Sequence, residues 1–273
     1  MRRHILATIL AMGASLPALA ADPVPLAPHR ALYQLTMDTA RGREIQGATG
    51  SMAYEITDAC DGWATRQRLS LDITNRDGQD IELVSDYATW ESKDGLSMRF
   101  RMRQTTETAV TEQVEGTASI TAAGGPGTIR YTLPEEKTMP IPAGTTFPMA
   151  HTAAIIAAAE AGKRFIAVPL FDGTGAKGTQ DSSVAITSWN AATGTAPYPA
   201  LANLPSGRVR IAFFDRNPPG AESGAKDKVA GSPDYEVGMR YWANGVADEL
   251  TMDFSDFVMQ GKLSEFVIPE PHC

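Results

Sequence analysis

The sequence has few cysteines, histidines and aromatic residues. It has two cysteines, four histidines and 7% aromatic residues in 273 positions. None of the histidines stands in the H-x-x-x-H or H-E-x-x-H spacing of a zinc site, and no G-x-S-x-G nucleophile motif occurs. The sequence therefore predicts no metal site, no cofactor and no compact catalytic site. An exported hydrolase with a Ser/His/Asp site assembled from distant positions stays open as an alternative.

Long hydrophobic runs are missing after the first twenty residues. A basic start and the apolar stretch Ile5 to Leu16 precede the small residues A-L-A at 18–20, which fit a cleavage site. Residues 1–20 are therefore predicted to be a signal peptide. The mature chain, 21–273, is predicted to be a single exported domain with no membrane span, because no other stretch is long enough to cross a bilayer.

Basic residues are also scarce relative to acidic ones. The chain has 24 Lys and Arg against 32 Asp and Glu. Without Arg2 and Arg3, which lie in the predicted signal peptide, the balance is 22 against 32, a formal charge of −10. This charge argues against nucleic acid or a generic anionic membrane as the partner.

Some arginines nevertheless share single faces of two predicted strands. They lie opposite the faces predicted to carry the apolar residues and are Arg66, Arg68, Arg99, Arg101 and Arg103. One interpretation is a solvated outer face balanced by Glu82, Glu107 and Glu112. The other is a cationic groove for an acidic ligand or partner.

The two cysteines are Cys60 and Cys273, separated by 213 positions. Export implies an oxidising compartment, so the first expectation is a disulfide between them, and the alternative is two free thiols. Neither cysteine has the C-x-x-C context of a redox-exchange site. The bond is expected to pin the C-terminal strand against unzipping.

Alternation with a period of two dominates the rest of the chain. Leu96, Met98, Phe100 and Met102 alternate with polar residues without a break, and similar runs recur throughout. Turn motifs such as Asn244-Gly245, expected to form a two-residue hairpin, separate the runs. The pattern predicts an all-β, mainly antiparallel fold of about a dozen strands, which should curl or close rather than stay flat.

One helix is predicted inside this β sequence, around residues 147–161. Pro148 suits a first helical turn and Gly162 a helix end. The segment is apolar nearly all round, so we expect Ile155 and Ile156 to be buried and the helix to fill one end of the curved sheet. We expect an apolar cavity at the other end that suits an acyl chain or apolar peptide, although alternation leaves open which face points inward. The candidate ligand-binding residues are Tyr33, Tyr54, Met98 and Phe100.

Three further patterns have simpler interpretations than the chemistry they resemble. The segment 173–178 matches G-x-G-x-x-G, but a strand rather than a helix is predicted after it, which favours a hairpin over a dinucleotide site. The acidic residues near the C-terminus favour a solvated or paired face; they are Asp248, Glu249, Asp253 and Asp256. His151 lies in the predicted helix and is interpreted as a satisfied polar group where the helix meets the sheet.

Taken in order, short segments spread over most of the mature chain resemble the EipB family of cell envelope integrity proteins from the Gram-negative periplasm. The matching segments are Leu26 to Ala31, Cys60 to Trp63, Trp90-Glu91 with Gly95, Phe147-Pro148 with His151, Leu170 to Gly173, Phe213 to Asp215, Tyr241 with Asn244 to Val246, Asp256-Phe257 and Cys273. Two departures are Trp63, where the family has Tyr, and the loop around Ala221.

The resemblance implies a broken antiparallel β-barrel, or β-spiral, with one helix and one disulfide, similar to periplasmic lipoprotein carriers. It implies a non-enzymatic role in envelope integrity, through binding of a lipid, lipoprotein or peptide segment. It also implies a periplasmic helical-repeat protein as a partner. A purely structural scaffold without a small ligand is the remaining alternative, and no catalytic residues carry over.

Overall fold

A computed structural model describes residues 24–216, 232–254, 256–270 and Cys273. The predicted signal peptide, the predicted loop around Ala221 and His272 lie outside the described residues. The strands are β1 (His29–Ala40), β2 (Ile45–Asp58), β3 (Gly62–Asn75), β4 (Asp80–Ser92), β5 (Ser97–Thr106), β6 (Ala109–Ile120), β7 (Gly127–Leu133), β8 (Lys137–Ile141), β9 (Phe165–Leu170), β10 (Gln180–Ile186), β11 (Ser206–Asp215), β12 (Tyr235–Trp242), β13 (Ala247–Asp253) and β14 (Phe257–Val267). The helix α1 is Pro148–Glu160, and a short 3-10 turn spans Pro199–Leu201.

The fourteen strands of the described residues belong to one antiparallel sheet, which confirms the predicted all-β fold. The order is β8-β7-β6-β5-β4-β3-β2-β1-β14-β13-β12-β11-β10-β9, so each half of the chain is a simple meander. The pairing of β1 with β14 joins the two halves. In the described part of the chain no ladder joins β8 to β9, so the barrel is open, as predicted.

Burial along the strands decides which face of the sheet is the inner one. In β5, Met98, Phe100 and Met102 are buried, whereas the arginines between them are exposed. The same alternation runs through β1, where Tyr33 and Leu35 are buried. The apolar face is therefore the inner face and the arginine face is the outer one, because burying apolar area is the main favourable term in folding.

The structure confirms the predicted position and burial of the helix α1. Pro148 occupies its first turn, and Gly162, with a φ of 72°, follows its last residues in the left-handed conformation that ends many helices. Ile155 and Ile156 are both 0% exposed. Ile155 packs against Leu170 and neighbouring strands of the C-terminal half. The helix is buried on most sides because it lies within the curve of the sheet.

The disulfide predicted from the sequence is present between Cys60 and Cys273. The sulfur atoms are 1.96 Å apart and the Cα atoms 5.5 Å apart. Cys60 lies in the turn between β2 and β3, and Cys273 follows β14. The bond therefore fastens the C-terminus to the N-terminal half beside the β1–β14 pairing that joins the two halves.

The turn at Asn244-Gly245 differs from the predicted two-residue hairpin. The Gly245 N–H donates to the Trp242 carbonyl at 2.9 Å, and the Trp242 N–H donates to the Val246 carbonyl at 2.9 Å. The loop is therefore three residues long, with Gly245 at a φ of 85°. This is the three-residue hairpin in which a type I turn is followed by a left-handed glycine, so the prediction of loop length was wrong.

Candidate functional site

A cavity of about 340 Å³ lies on the inner face of the sheet, between β1–β3 on one side and β11–β13 on the other. The first two turns of α1 border it. Its lining residues are Leu26, Ala27, Tyr33, Met52, Tyr54, Ile56, Gln67, Pro148, Met149, His151, Thr152, Leu170, Ile211, Phe213, Tyr235, Val237, Met239, Tyr241, Asn244, Gly245, Ala247, Leu250 and Met252. Most of these side chains are apolar or aromatic, which is typical of pockets for small organic ligands.

Two neighbouring polar side chains stand out in this lining. Tyr54 and Gln67 are direct cross-strand partners on β2 and β3. Neither side chain makes a hydrogen bond to another described residue. Tyr33 differs, because its hydroxyl donates to the Ala247 carbonyl at 2.8 Å and so holds β13 in place. The Tyr54 hydroxyl and the Gln67 amide are thus two groups that remain able to bond a ligand in the cavity.

The structure separates the four candidate ligand residues into two pairs. Tyr33 and Tyr54 line the cavity. Met98 and Phe100 belong instead to a tightly packed cluster in the N-terminal half, where the rings of Phe100 and Phe171 meet edge to face at 5.1 Å. Contact between a ligand and Tyr33 or Tyr54 stays a prediction.

The cavity lies beside the start of the helix, so the prediction that it occupies the opposite end of the sheet was wrong. The neighbouring part of the inner face, over β5 to β7, is filled by aromatic rings, chiefly Phe100, Phe147 and Phe171. These rings come from three distant parts of the chain, and strand alternation cannot reveal that they meet. Sequence reasoning also missed the lining residues Tyr235 and Tyr241, which two-residue spacing to Val237 and Met239 on β12 places on one face.

The glycine-rich segment at 173–178 forms part of this aromatic filling and not a dinucleotide site. It connects the antiparallel strands β9 and β10, as predicted, and no helix follows it. A Cβ added at Gly173 would lie 2.6 Å from the Phe100 side chain. The Tyr131 hydroxyl donates to the Gly175 carbonyl at 3.2 Å. The segment is glycine-rich where its backbone packs on the inner face of the sheet.

A buried carboxylate at the end of β4 caps the N-terminus of α1. Glu91, 2% exposed, accepts the Met149 N–H at 2.8 Å and the Ala150 N–H at 3.0 Å. The helix has no capping side chain of its own at Phe147. Since the first N–H groups of a helix lack partners within it, Glu91 satisfies two donors that would otherwise be buried unpaired.

Burial raises the pKa of Glu91 to about 7, against the opposing effect of the two N–H donors. The folded protein therefore binds this proton more readily than the unfolded chain does between pH 4.5 and 7. Acidification through that window stabilises the fold through Glu91. Relative to Glu91→Gln, we expect wild type to gain about 2–3 kcal/mol in the free energy of unfolding from pH 8 to pH 5.

Urea unfolding of both proteins across this pH range checks the prediction. The two buried histidines are common to both, so their effects cancel in the difference. A difference that stays constant with pH, or that falls on acidification, would show that burial does not raise the pKa of Glu91.

His151 and Ser182 form a buried pair that resembles part of a catalytic triad. The His151 Nε2 and the Ser182 Oγ are 2.7 Å apart, and Ser182 is 2% exposed. The Ser182 hydroxyl donates to the Val168 carbonyl at 2.6 Å, so His151 is the donor to Ser182. Burial lowers the pKa of His151 to about 4. A nucleophilic serine would donate to the histidine instead, so in this arrangement the pair is a structural contact that joins α1 to the C-terminal half.

Two of the four acidic residues near the C-terminus are held in ion pairs. Arg41 donates two hydrogen bonds of 2.9 and 2.7 Å to Asp253. Glu249 forms ion pairs with Arg208 and Arg240. Among the described residues, no group of three or more His, Cys, Asp or Glu side chains is arranged to hold a metal ion. The only α-helix in the described ranges is too short to span a bilayer.

Comparison with known proteins identifies relatives along most of the chain. A model of the EipB-like family matches residues 20–270. The cell envelope integrity protein EipB of Brucella abortus (strain 2308) is 31% identical over 254 residues, which span 90% of this chain and 85% of that protein.

A solved structure shares the fold. It is the crystal structure of a beta-barrel-like protein of a domain of unknown function from Brucella abortus, with a TM-score of 0.77 and 28% sequence identity. The match covers 90% of this chain and all of that one. The sequence match and the shared open barrel agree, and the chain belongs to the EipB-like family.

Proposed function

We propose that the protein supports cell envelope integrity as a non-enzymatic periplasmic protein that binds a lipid, a lipoprotein or a peptide segment. The name of its Brucella relative supports the envelope role. The predicted signal peptide and the disulfide support an oxidising, exported location. The geometry of the His151–Ser182 pair, in which the serine donates away from the histidine, supports a role without catalysis.

The inner cavity is the observation that carries the proposal. Its volume of about 340 Å³ lies within the range of ligand pockets, and its walls are mainly apolar. Tyr54 and Gln67 supply adjacent hydrogen-bonding groups without partners in the described structure. This combination fits an amphiphile, with an acyl chain or apolar side chain along the walls and a polar group at Tyr54 and Gln67.

Filling the cavity should weaken binding strongly without disturbing the sheet. Ala247 lines the cavity on β13, whereas Ala53 is exposed on the outer face of β2. We expect wild type to bind the fluorescent fatty acid cis-parinaric acid. We expect Ala247→Phe to weaken that binding at least tenfold and Ala53→Phe to change it less than twofold. A fluorescence titration gives all three dissociation constants.

Circular dichroism of the variants establishes that each is folded before binding is compared. Equal binding by Ala247→Phe and wild type would place any fatty-acid site outside this cavity. Absence of binding by wild type, together with ester hydrolysis that disappears in His151→Ala, would favour the hydrolase alternative.

A further inference from the structure

The outer face of the sheet carries two neighbouring rows of side chains that cross strands β1 to β5. Strand register places each residue beside the next. The first row is Arg30, Glu55, Arg66, Ala88 and Arg101. The second row is Leu32, Ala53, Arg68, Asp86 and Arg103. We call these two rows the arginine rows.

A groove of about 760 Å³ runs between the arginine rows. Ala53 and Ala88 are exposed and small, so they form the floor of the groove between the longer arginine side chains. Leu32 and Val267 add apolar surface at one end. The groove opens on the opposite face from the inner cavity. Tyr54 and Gln67 line both sites, whereas Arg66 and Arg103 line the groove and not the cavity.

Charge in the groove is unevenly compensated. Glu55 stands between Arg30 and Arg66 in its row but pairs with Arg30, whose Nε lies 2.6 Å from the carboxylate. Asp86 stands between Arg68 and Arg103 and pairs with Arg68 at 2.8 Å.

The other arginines of the rows have weaker partners or none. Arg101 lies 3.9 Å from Glu115. Arg66 and Arg103 form no ion pair with any carboxylate in the described ranges. The groove also contains Glu265, so its five arginines exceed its three carboxylates by two. The whole chain has a net charge of −8, so the groove is a positively charged region of an acidic protein.

We propose that the groove between the arginine rows binds an acidic peptide segment of a partner protein, with carboxylates on Arg66 and Arg103. A guanidinium offers a planar pair of donors that matches a carboxylate, and a recess concentrates the positive potential. The arginines flank a concave floor that receives a chain, whereas a flat membrane surface would meet only their tips. The apolar end at Leu32 and Val267 suits one apolar side chain of the same segment.

Strand geometry sets the spacing of the two acidic residues. Arg66 and Arg103 lie two strands apart and one side-chain step along the strand, which places their Cα atoms roughly 12 Å apart. An extended chain rises ~3.3 Å per residue and its alternate side chains share a face. Acidic residues about four positions apart in an extended segment therefore reach both arginines.

The test uses the full mature protein and a fluorescein-labelled peptide with two glutamates four positions apart and a leucine beside them. The variant Arg66→Gln/Arg103→Gln removes both unpaired arginines. The matched control Arg43→Gln/Arg76→Gln removes the same charge from exposed turn residues away from the groove. By fluorescence polarisation at low salt, we expect the groove variant to bind at least tenfold more weakly and the control less than twofold. The same peptide with glutamines should not bind.

Equal weakening by both double variants would show a general charge effect and overturn the proposal. No binding by wild type at low salt would do the same. Binding to phosphatidylglycerol vesicles without binding to the peptide would assign the face to a membrane instead. Since all substituted arginines are exposed, unfolding temperatures should agree closely. The groove variant should still bind cis-parinaric acid, so failure here is distinguishable from failure of the proposed function.

Discussion

The variant Ile155→Asp should lose more than about 4 kcal/mol of stability. Ile155 is fully buried between α1 and the C-terminal strands, in contact with a cluster that includes Leu170 and Val184. The substitution removes apolar packing and places a carboxylate where the surrounding side chains are apolar. Urea or thermal unfolding measured by circular dichroism gives the change, and loss of the folded state at room temperature is within the expected range.

The same helix supplies a matched control for this prediction. Ala157 lies two residues further along α1 and is exposed. Ala157→Asp introduces the same charged side chain and should cost at most about 1 kcal/mol, from helix propensity and the helix dipole. Equal stabilities for the two aspartate variants would mean that α1 is a surface element. The helix would then not form a buried wall of the inner cavity.

Removing the disulfide should have the second large effect. The bond closes a loop of 213 positions, and the chain-entropy argument gives about 5 kcal/mol for a loop of that length as an upper bound. The bond fastens the C-terminus beside the β1–β14 pairing. Its loss should therefore weaken this pairing, which connects the two halves of the sheet. We expect Cys60→Ser/Cys273→Ser to lose about 2–5 kcal/mol in the free energy of unfolding.

Reductant provides the control for the disulfide. Wild type in dithiothreitol should become as unstable as the double serine variant, and the variant itself should be insensitive to the reagent. Wild type that unfolds at the same urea concentration with and without reductant would show that the bond contributes no stability.

The sequence specifies the local elements well because their patterns are contained within short stretches. Alternation in residues such as Met98 to Met102 predicts β5 and its two faces. Pro148, the alanine-rich segment and Gly162 predict the limits of α1 to within a residue or two. Each of these features depends on neighbours in the chain, so a single sequence reveals it.

The cavity could not be located in the same way, because its walls come from distant strands. Glu91 caps a helix that begins 57 positions later, and no local motif marks it as a cap. The pairing of β1 with β14 brings Tyr33 beside the C-terminal strands, and the aromatic rings fill the inner face over β5 to β7. Alternation gives the face of each strand, but the path of the whole sheet determines which inner residues meet empty space.

The inner cavity and the groove between the arginine rows give the two faces of one sheet different expected ligands. The inner face offers apolar walls with Tyr54 and Gln67, and the outer face offers Arg66 and Arg103. An amphiphile bound inside and an acidic segment bound outside could occupy the protein together. Binding of the peptide in the presence and absence of cis-parinaric acid would show whether the two sites influence each other.

Native mass spectrometry of protein purified without detergent from cells that export it tests the central claim most directly. Wild type should carry a noncovalently bound molecule of a few hundred daltons that leaves on collisional activation. Ala53→Phe should retain that molecule, and Ala247→Phe should lack it. Wild type found entirely at the mass of the bare polypeptide, or the same bound mass on Ala247→Phe, would contradict the claim that the inner cavity holds a ligand.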